Sequence, residues 1–305
     1  MDKTEQDKGT TRPNREGFAL MITLSVLAVV IALTVVLLSY FKEVKKDADH
    51  TQALIQANLY YTDIVKQFEK FKEKKELFDQ LYLFPVALSA AEGRFSMTLR
   101  CEPLAKGVNV NWLALEKDIK HKTHFEEAQN LFDFLVQEHN IEDAARLREM
   151  LLLEMGDKHK TIVKKQSRLR QKEGIISYQQ FEKIISEYQL EVDDLNVDKI
   201  AWQKYFSFLT TADKIDAQHS TAELLSFLFD IDLESVRDWT SSEERTSLKD
   251  FVNNSGGAYD EKKVLLAEDT FLDLSHCEVN YGQGYRFAFD YIEGEAKHFE
   301  FYGNY

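Results

Sequence analysis

From Phe18 to Phe41 the chain reads FALMITLSVLAVVIALTVVLLSYF, 24 residues without a charge. As a helix rising ~1.5 Å per residue it would extend roughly 36 Å. A bilayer core needs about 20 apolar residues. The stretch is therefore read as a membrane-spanning helix. A cleavable secretory signal has an apolar region of roughly 7–15 residues, shorter than this one. No small-x-small cleavage site follows, because Tyr40 leads into Phe41, Lys42 and Glu43. The anchor is expected to stay attached.

The first seventeen of the 305 residues carry four basic and four acidic side chains. The formal charge of −14 therefore falls on the part after the span. An acidic surface excludes DNA and RNA as partners, whose phosphates need a basic footprint. It also disfavours lying flat on anionic lipid. Arg12 and Arg15 precede the span, while Lys42, Lys45 and Lys46 follow it. The positive-inside rule does not separate the two orientations. A short N-terminus inside and a large domain outside is the simpler topology.

Beyond the span, Leu54, Tyr61, Val65, Phe68 and Leu77 recur at helical spacing. No Gly or Pro interrupts Phe18 to Leu83, so one long helix to about Tyr82 is expected, ended by Pro85. Val86 to Leu88 and Arg94 to Glu102 read as strands, with Glu92-Gly93 as their turn. Trp112 to about Val252 reads as helical, with helices near 124–138, 141–155, 178–188, 197–209, 221–229 and 243–252. Capping boxes are expected at Thr123–Glu126, Ser177–Gln180 and Ser220–Glu223, a cap at Asn140, and a left-handed stop at Gly156. Strands return at Phe271–Tyr281, Tyr285–Tyr291 and Lys297–Tyr302, with Glu293-Gly294-Glu295 as a turn. The expected class is α+β: a long N-terminal helix, an antiparallel sheet and a large all-helical insertion.

Signs of chemistry are few. No phosphate loop, GxSxG or HExxH is present. His121 and His124 lie in a Lys-rich stretch with no third ligand evident for zinc. The acid pairs Glu126/Glu127 and Asp193/Asp194 read as solvated faces. Cys101 shares a strand face with Phe95, Met97 and Leu99, and Cys277 shares one with Val279 and Tyr281. Two readings stay open for these cysteines: two small buried hydrophobes, or a disulfide.

The residues before the span read Asn14-Arg15-Glu16-Gly17-Phe18. A basic residue, then Gly, then Phe at the start of the apolar run resembles a type IV prepilin leader. In that family a membrane peptidase cuts after the Gly and methylates the new N-terminus. The resemblance makes Gly17 and Phe18 the processing residues and Ile22 the fifth mature position. Most members have Glu there; the K-type minor pseudopilins of the type II secretion system do not. Gly107–Leu113 resembles that branch's GKINLN-x-L segment, and Lys214–Leu225 its KINVNTA-x-AEVL segment. Phe181–Tyr205 is similar to the helical stretch preceding the latter. Glu16 departs from the leader pattern.

The resemblance implies a leader at 1–17, a span at 18–41, and a pseudopilin helix with first strands at 42–111. It implies a helical insertion at 112–255 and closing strands at 256–305. It further implies a structural, non-enzymatic subunit of the inner membrane, its C-terminal domain in the periplasm. Such a subunit would nucleate and cap a pseudopilus with I-type and J-type minor pseudopilins, a prepilin peptidase and the inner-membrane secretion platform. No cofactor is expected. Calcium occurs in the family, but the matching segment after Leu153 runs Glu154–Lys160 and stays basic to Lys172. That suits a solvated linker or a contact to an acidic partner better than a hard cation. Other readings are a minor pilin of a type IV pilus, a signal-anchored periplasmic binding or sensor module, and, more distantly, a hydrolase.

Overall fold

The computed structural model describes residues 15–89, 96–156, 174–210, 212–242, 245–268, 270–282 and 284–303. The Glu92-Gly93 turn, the start of its following strand, the segment 157–173 and residues 1–14 fall outside them. The chain is mixed helix and sheet.

Helix α1 runs from Arg15 to Lys70, 56 residues, or about 84 Å of helix. Its second half lies on a sheet through Ala53, Ala57, Ile64 and Phe68, flanked by Tyr60 and Tyr61. This line is rotated from the expected one, since Leu54 and Val65 sit at its margins. The two alanines explain the shift. They let the helix approach so closely that the Tyr281 hydroxyl donates to the Ala53 carbonyl at 2.6 Å.

The expected unbroken helix to Tyr82 is not found. Phe71–Glu73 leave it, and α2 (Lys74–Leu83) restarts. No Gly or Pro marks the break; its cause is tertiary. Phe68 and Phe78 bring their rings to 5.0 Å, whereas ten residues of one straight helix would separate them by ~15 Å. The break folds Phe78 back so that it also stacks on Phe271 and Tyr291, at 4.9 and 5.3 Å.

Strands β1 (Val86–Ser89) and β2 (Ser96–Pro103) follow. The chain then leaves the sheet and enters a second, mainly helical block. Its elements are β3 (Val108–Asn109), α3 (Lys122–Glu138), α4 (Ala144–Met155), α5 (Tyr178–Val192), β4 (Phe206–Ser207), α6 (Ala222–Phe229), α7 (Leu233–Ser241), α8 (Leu248–Asn254) and α9 (Tyr259–Lys262). Strands β5 (Leu274–Tyr281), β6 (Tyr285–Ile292) and β7 (Glu295–Phe301) complete the sheet. The order is β1-β2-β5-β6-β7, antiparallel throughout. Alternation turns Met97, Leu99, Val279, Phe287, Phe289 and Tyr291 toward the helices. Glu293 and Gly294, both at positive φ (55° and 81°), make the tight β6–β7 turn.

The second block is not all helical. Residues 197–209 form two short 3₁₀ turns and β4, which pairs in parallel with β3. Val197, Ile200, Trp202 and Phe206 are all buried there. Their spacing of three, two and four residues fits no single helix face, so the backbone bends to bury each one. The Trp202 indole donates to the Val197 carbonyl at 3.1 Å. Its core also takes Val108 and Val110 from one side and Leu265 and Leu266 from the other.

The caps differ in register. Ser177 caps α5 and accepts from Gln180 N, as expected. Helix α3 starts before Thr123, after a 3₁₀ turn capped by Asp118, so Thr123 caps nothing. Asp143, not Asn140, caps α4; Asn140 is a left-handed residue (φ 52°) after α3. Thr221, not Ser220, caps α6, because the Ser220 hydroxyl is spent on the Lys106 carbonyl. Gly156 ends α4 at φ 89°.

Candidate functional site: the bare helix and the sheet it crosses

Gly17 and Phe18 lie among the first described residues of α1, so the bond between them is helical here. A peptidase needs extended backbone, so cleavage requires this turn to open locally. Phe18 is 68% exposed and Ile22 48%. They are four residues apart, hence neighbours on one helix face. From Leu20 the helix is long and apolar enough to cross a membrane, and the rest of the chain does not bury that window. Thr23, Ser25 and Thr34 return their hydroxyls to the carbonyls of Leu20, Met21 and Val30. Each polar group is then satisfied without water, as hydrocarbon requires.

The apolar surface does not stop at Phe41. On the side of α1 away from the sheet, Val44, Ala48 and Ile55 line an open groove edged by Asp47, Gln52 and Gln56, and Leu59 beyond it is exposed. The helix thus presents two apolar sides past Phe41, one covered by the sheet and one bare.

Cys101 and Cys277 face each other in the β2–β5 register. They are joined by a disulfide across a sequence separation of 176. Both sulfurs lie in the core between helix and sheet. The bond closes the base of the second block, where the chain leaves and re-enters the sheet. The interface beside it is polar. Tyr82 hydrogen-bonds Ser275 and sets its ring edge-on to His219 at 5.0 Å.

His121 and His124 have ring centres 5.3 Å apart, but each is engaged elsewhere. His121 Nδ1 meets Asp118 at 2.9 Å, and His124 Nε2 meets the Asp213 carbonyl at 2.7 Å. Among the described residues no group of three His, Cys, Asp or Glu is placed to hold a metal. Of the calcium-type segment, Glu154–Gly156 end α4, and Asp157–Lys160 lie outside the described residues.

The expectation of solvated acid pairs fails for one member of each. Asp194 is 1% exposed. It accepts from Glu142 N (3.0 Å), Asn196 N (2.9 Å) and the Tyr188 hydroxyl (3.3 Å), tying α5 to the start of α4. Glu127 is buried against Lys262, linking α3 to α9. Burial of a carboxylate is tolerated where donors meet it; Glu126 and Glu127 point to different sides of α3, and the left-handed Asp193 (φ 61°) ends α5 just before Asp194.

The sequence reading missed one cluster. On the outer sheet face, Asp290 of β6 binds His276 Nδ1 of β5 and His298 Nδ1 of β7, each at 2.8 Å. A bulge between Ala288 and Asp290 and a left-handed φ of 54° at His298 bring the second ring in. The Asp290 hydrogen bond raises the His276 pKa above its ordinary 6.5, outweighing burial. Burial pushes Asp290 up, but the two imidazoles hold it below its ordinary 3.8.

The signs follow from linkage. The His276 contribution to stability is complete below pH 6.5 and is lost as pH rises through the raised folded value. The Asp290 contribution is complete above 3.8 and is lost as pH falls through the lowered value. Thermal midpoints measured from about pH 5 to about pH 9 should fall on the alkaline side. In His276→Gln that fall should flatten; an unchanged fall would assign it to another group.

Compared with family models, curated proteins and solved structures, the chain matches none.

Proposed function

We propose that the chain is a minor pseudopilin of the K type, nucleating and capping the periplasmic pseudopilus of a type II secretion system. It acts as a structural subunit and not as an enzyme. One observation carries the reading: a single helix runs from the Arg15–Phe18 motif through a bare apolar stretch and lays its far half on an antiparallel sheet. In this reading the peptidase removes residues 1–17, and the span holds Phe18 in the inner membrane. The bare side of α1, through Val44, Ile55 and Leu59, packs on neighbouring anchor helices. The second block, hung on the ends of the adjacent strands β2 and β5, obstructs a repeating filament position and suits the tip. The disulfide fits an oxidising compartment such as the periplasm.

Ile22 has a physical rationale in this assembly. A carboxylate there would sit in apolar surroundings beside the N-terminal ammonium of a neighbour above. A tip subunit has no such neighbour, and an unpaired buried charge would be costly. Full-length chain co-expressed with an I-type and a J-type minor pseudopilin should co-purify with both from detergent extracts. Recovery of an I–J pair without this chain would contradict the assignment.

A further inference from the structure

The two edges of the five-stranded sheet are built differently. β7 carries Glu295, Lys297, His298 and Glu300, and it bulges between Lys297 and Glu300, opposite Asp290 of β6. The Tyr61 hydroxyl also occupies the Ala296 carbonyl at 3.1 Å. Charged side chains, bulges, Pro and very short strands are the usual ways of blunting an edge against other strands. β1 is short, four residues entered through Pro85, but it carries no charge and its pairing with β2 has no register shift. From Gln80 to Ala91 there is no charged residue, in a chain that is 30% charged. Within that run Leu83, Phe84, Pro85, Ala87 and Leu88 are exposed.

The register shows what this edge offers. Val86 pairs with Leu99 and Leu88 with Met97, and both partners belong to the core under the helices. Val86 and Leu88 therefore continue the core face outward, and the extended Phe84 shares their side by alternation. The apolar layer does not finish at β1. It ends in side chains only part covered, Phe84 at 70% and Leu88 at 38% exposure. Among the described residues β2 is the one strand paired with β1, so the outer backbone N–H and C=O groups of β1 face no partner strand there.

We propose that β1 is a docking edge that accepts an extended, uncharged, apolar strand from a different protein, adding a sixth strand to the sheet. The outer backbone of β1 selects an extended segment, and the exposed Phe84 and Leu88, flanking the half-buried Val86, select apolar side chains on it. Charge decides against a second copy. Each copy carries a formal −14, and mutual repulsion opposes pairing through so short an edge. The inference rests on the sheet alone and stands whether or not the chain belongs to a secretion machine.

The test places a benzophenone amino acid at Phe84 of the full-length chain in its native membranes, with the same group at Glu295 of β7 as control. The expected result is one protein adduct at Phe84 and none at Glu295. Peptide mass spectrometry should map its cross-links within one uncharged, strand-forming stretch of the partner. Leu88→Lys should cut the yield at least about tenfold by charging the edge. Its thermal midpoint should be unchanged, and Ala87→Lys serves should Leu88→Lys unfold. An adduct that survives these substitutions, a self-adduct, a lipid adduct or no adduct would each overturn the proposal. Adduct formation without cleavage after Gly17 would leave this edge standing and remove the pseudopilin reading.

Discussion

Replacing both Cys101 and Cys277 by alanine should lower the unfolding free energy by about 5 kcal/mol, the largest effect expected of any small change in the sheet. The size comes from the separation of 176 residues that the bond closes. Cross-linking removes loop-closure entropy from the unfolded chain, and the removal grows with loop length. Here the closed loop contains the whole second block. β1–β2 and β5–β7 come from opposite sides of that block, and without the bond β2 and β5 must find each other by strand pairing alone. Measured losses for native disulfides run about 2–5 kcal/mol. For a chain of this size that is a fall in thermal midpoint of about 10 °C. Denaturant unfolding of the double variant measures it directly. A loss below about 1 kcal/mol would mean that the bridge constrains little that the sheet does not already hold.

Gly107→Ala should be nearly as damaging, by a different route. A Cβ at Gly107 would lie 2.5 Å from the Phe206 carbonyl carbon and 2.7 Å from Ser207 N. These are backbone atoms, so no side-chain rotation relieves the overlap. The same approach is what permits β3 to pair with β4, with Val108 N donating to the Tyr205 carbonyl at 2.9 Å and the Ser207 hydroxyl to the Gly107 carbonyl at 2.9 Å. Pushing the strands apart breaks those bonds and unseats Val108 and Phe206 from the second core. We expect a loss of at least about 3 kcal/mol. Gly156→Ala is the control. It has open space around it and only an unfavourable φ of +89°, so about 1 kcal/mol is expected. Equal effects of the two substitutions would contradict the close-approach account.

What was legible in the sequence depended on whether local chemistry or distant packing decided it. The long apolar helix, the strands of the five-stranded sheet and the Glu293-Gly294 turn follow from local pattern, and the structure has them. So does the Ser177 cap, whose hydroxyl and next turn are contiguous. The break at Phe71–Glu73 was not legible, because it serves a Phe68–Phe78 contact that no local residue announces. The rotation of α1 was missed because Ala53 and Ala57 count little as hydrophobes yet decide how near the helix comes. Helix α7 carried a usable sign, Asp232 accepting from Ser235 N ahead of Val236 and Trp239. The Asp290 cluster had none, since β5, β6 and β7 each supply one member from among several polar residues and a bulge aligns the third. For the cysteines the sequence placed each on a buried strand face. Their meeting depends on the β2–β5 register across the whole second block.

The assignment as a pseudopilin turns on the bond between Gly17 and Phe18. The deciding measurement is the intact mass and N-terminal residue of the protein isolated from membranes that contain its prepilin peptidase. The account predicts loss of residues 1–17 and a methylated amine on Phe18. An intact Met1, with the peptidase shown to be active on another prepilin in the same membranes, would contradict it and leave a signal-anchored module in its place.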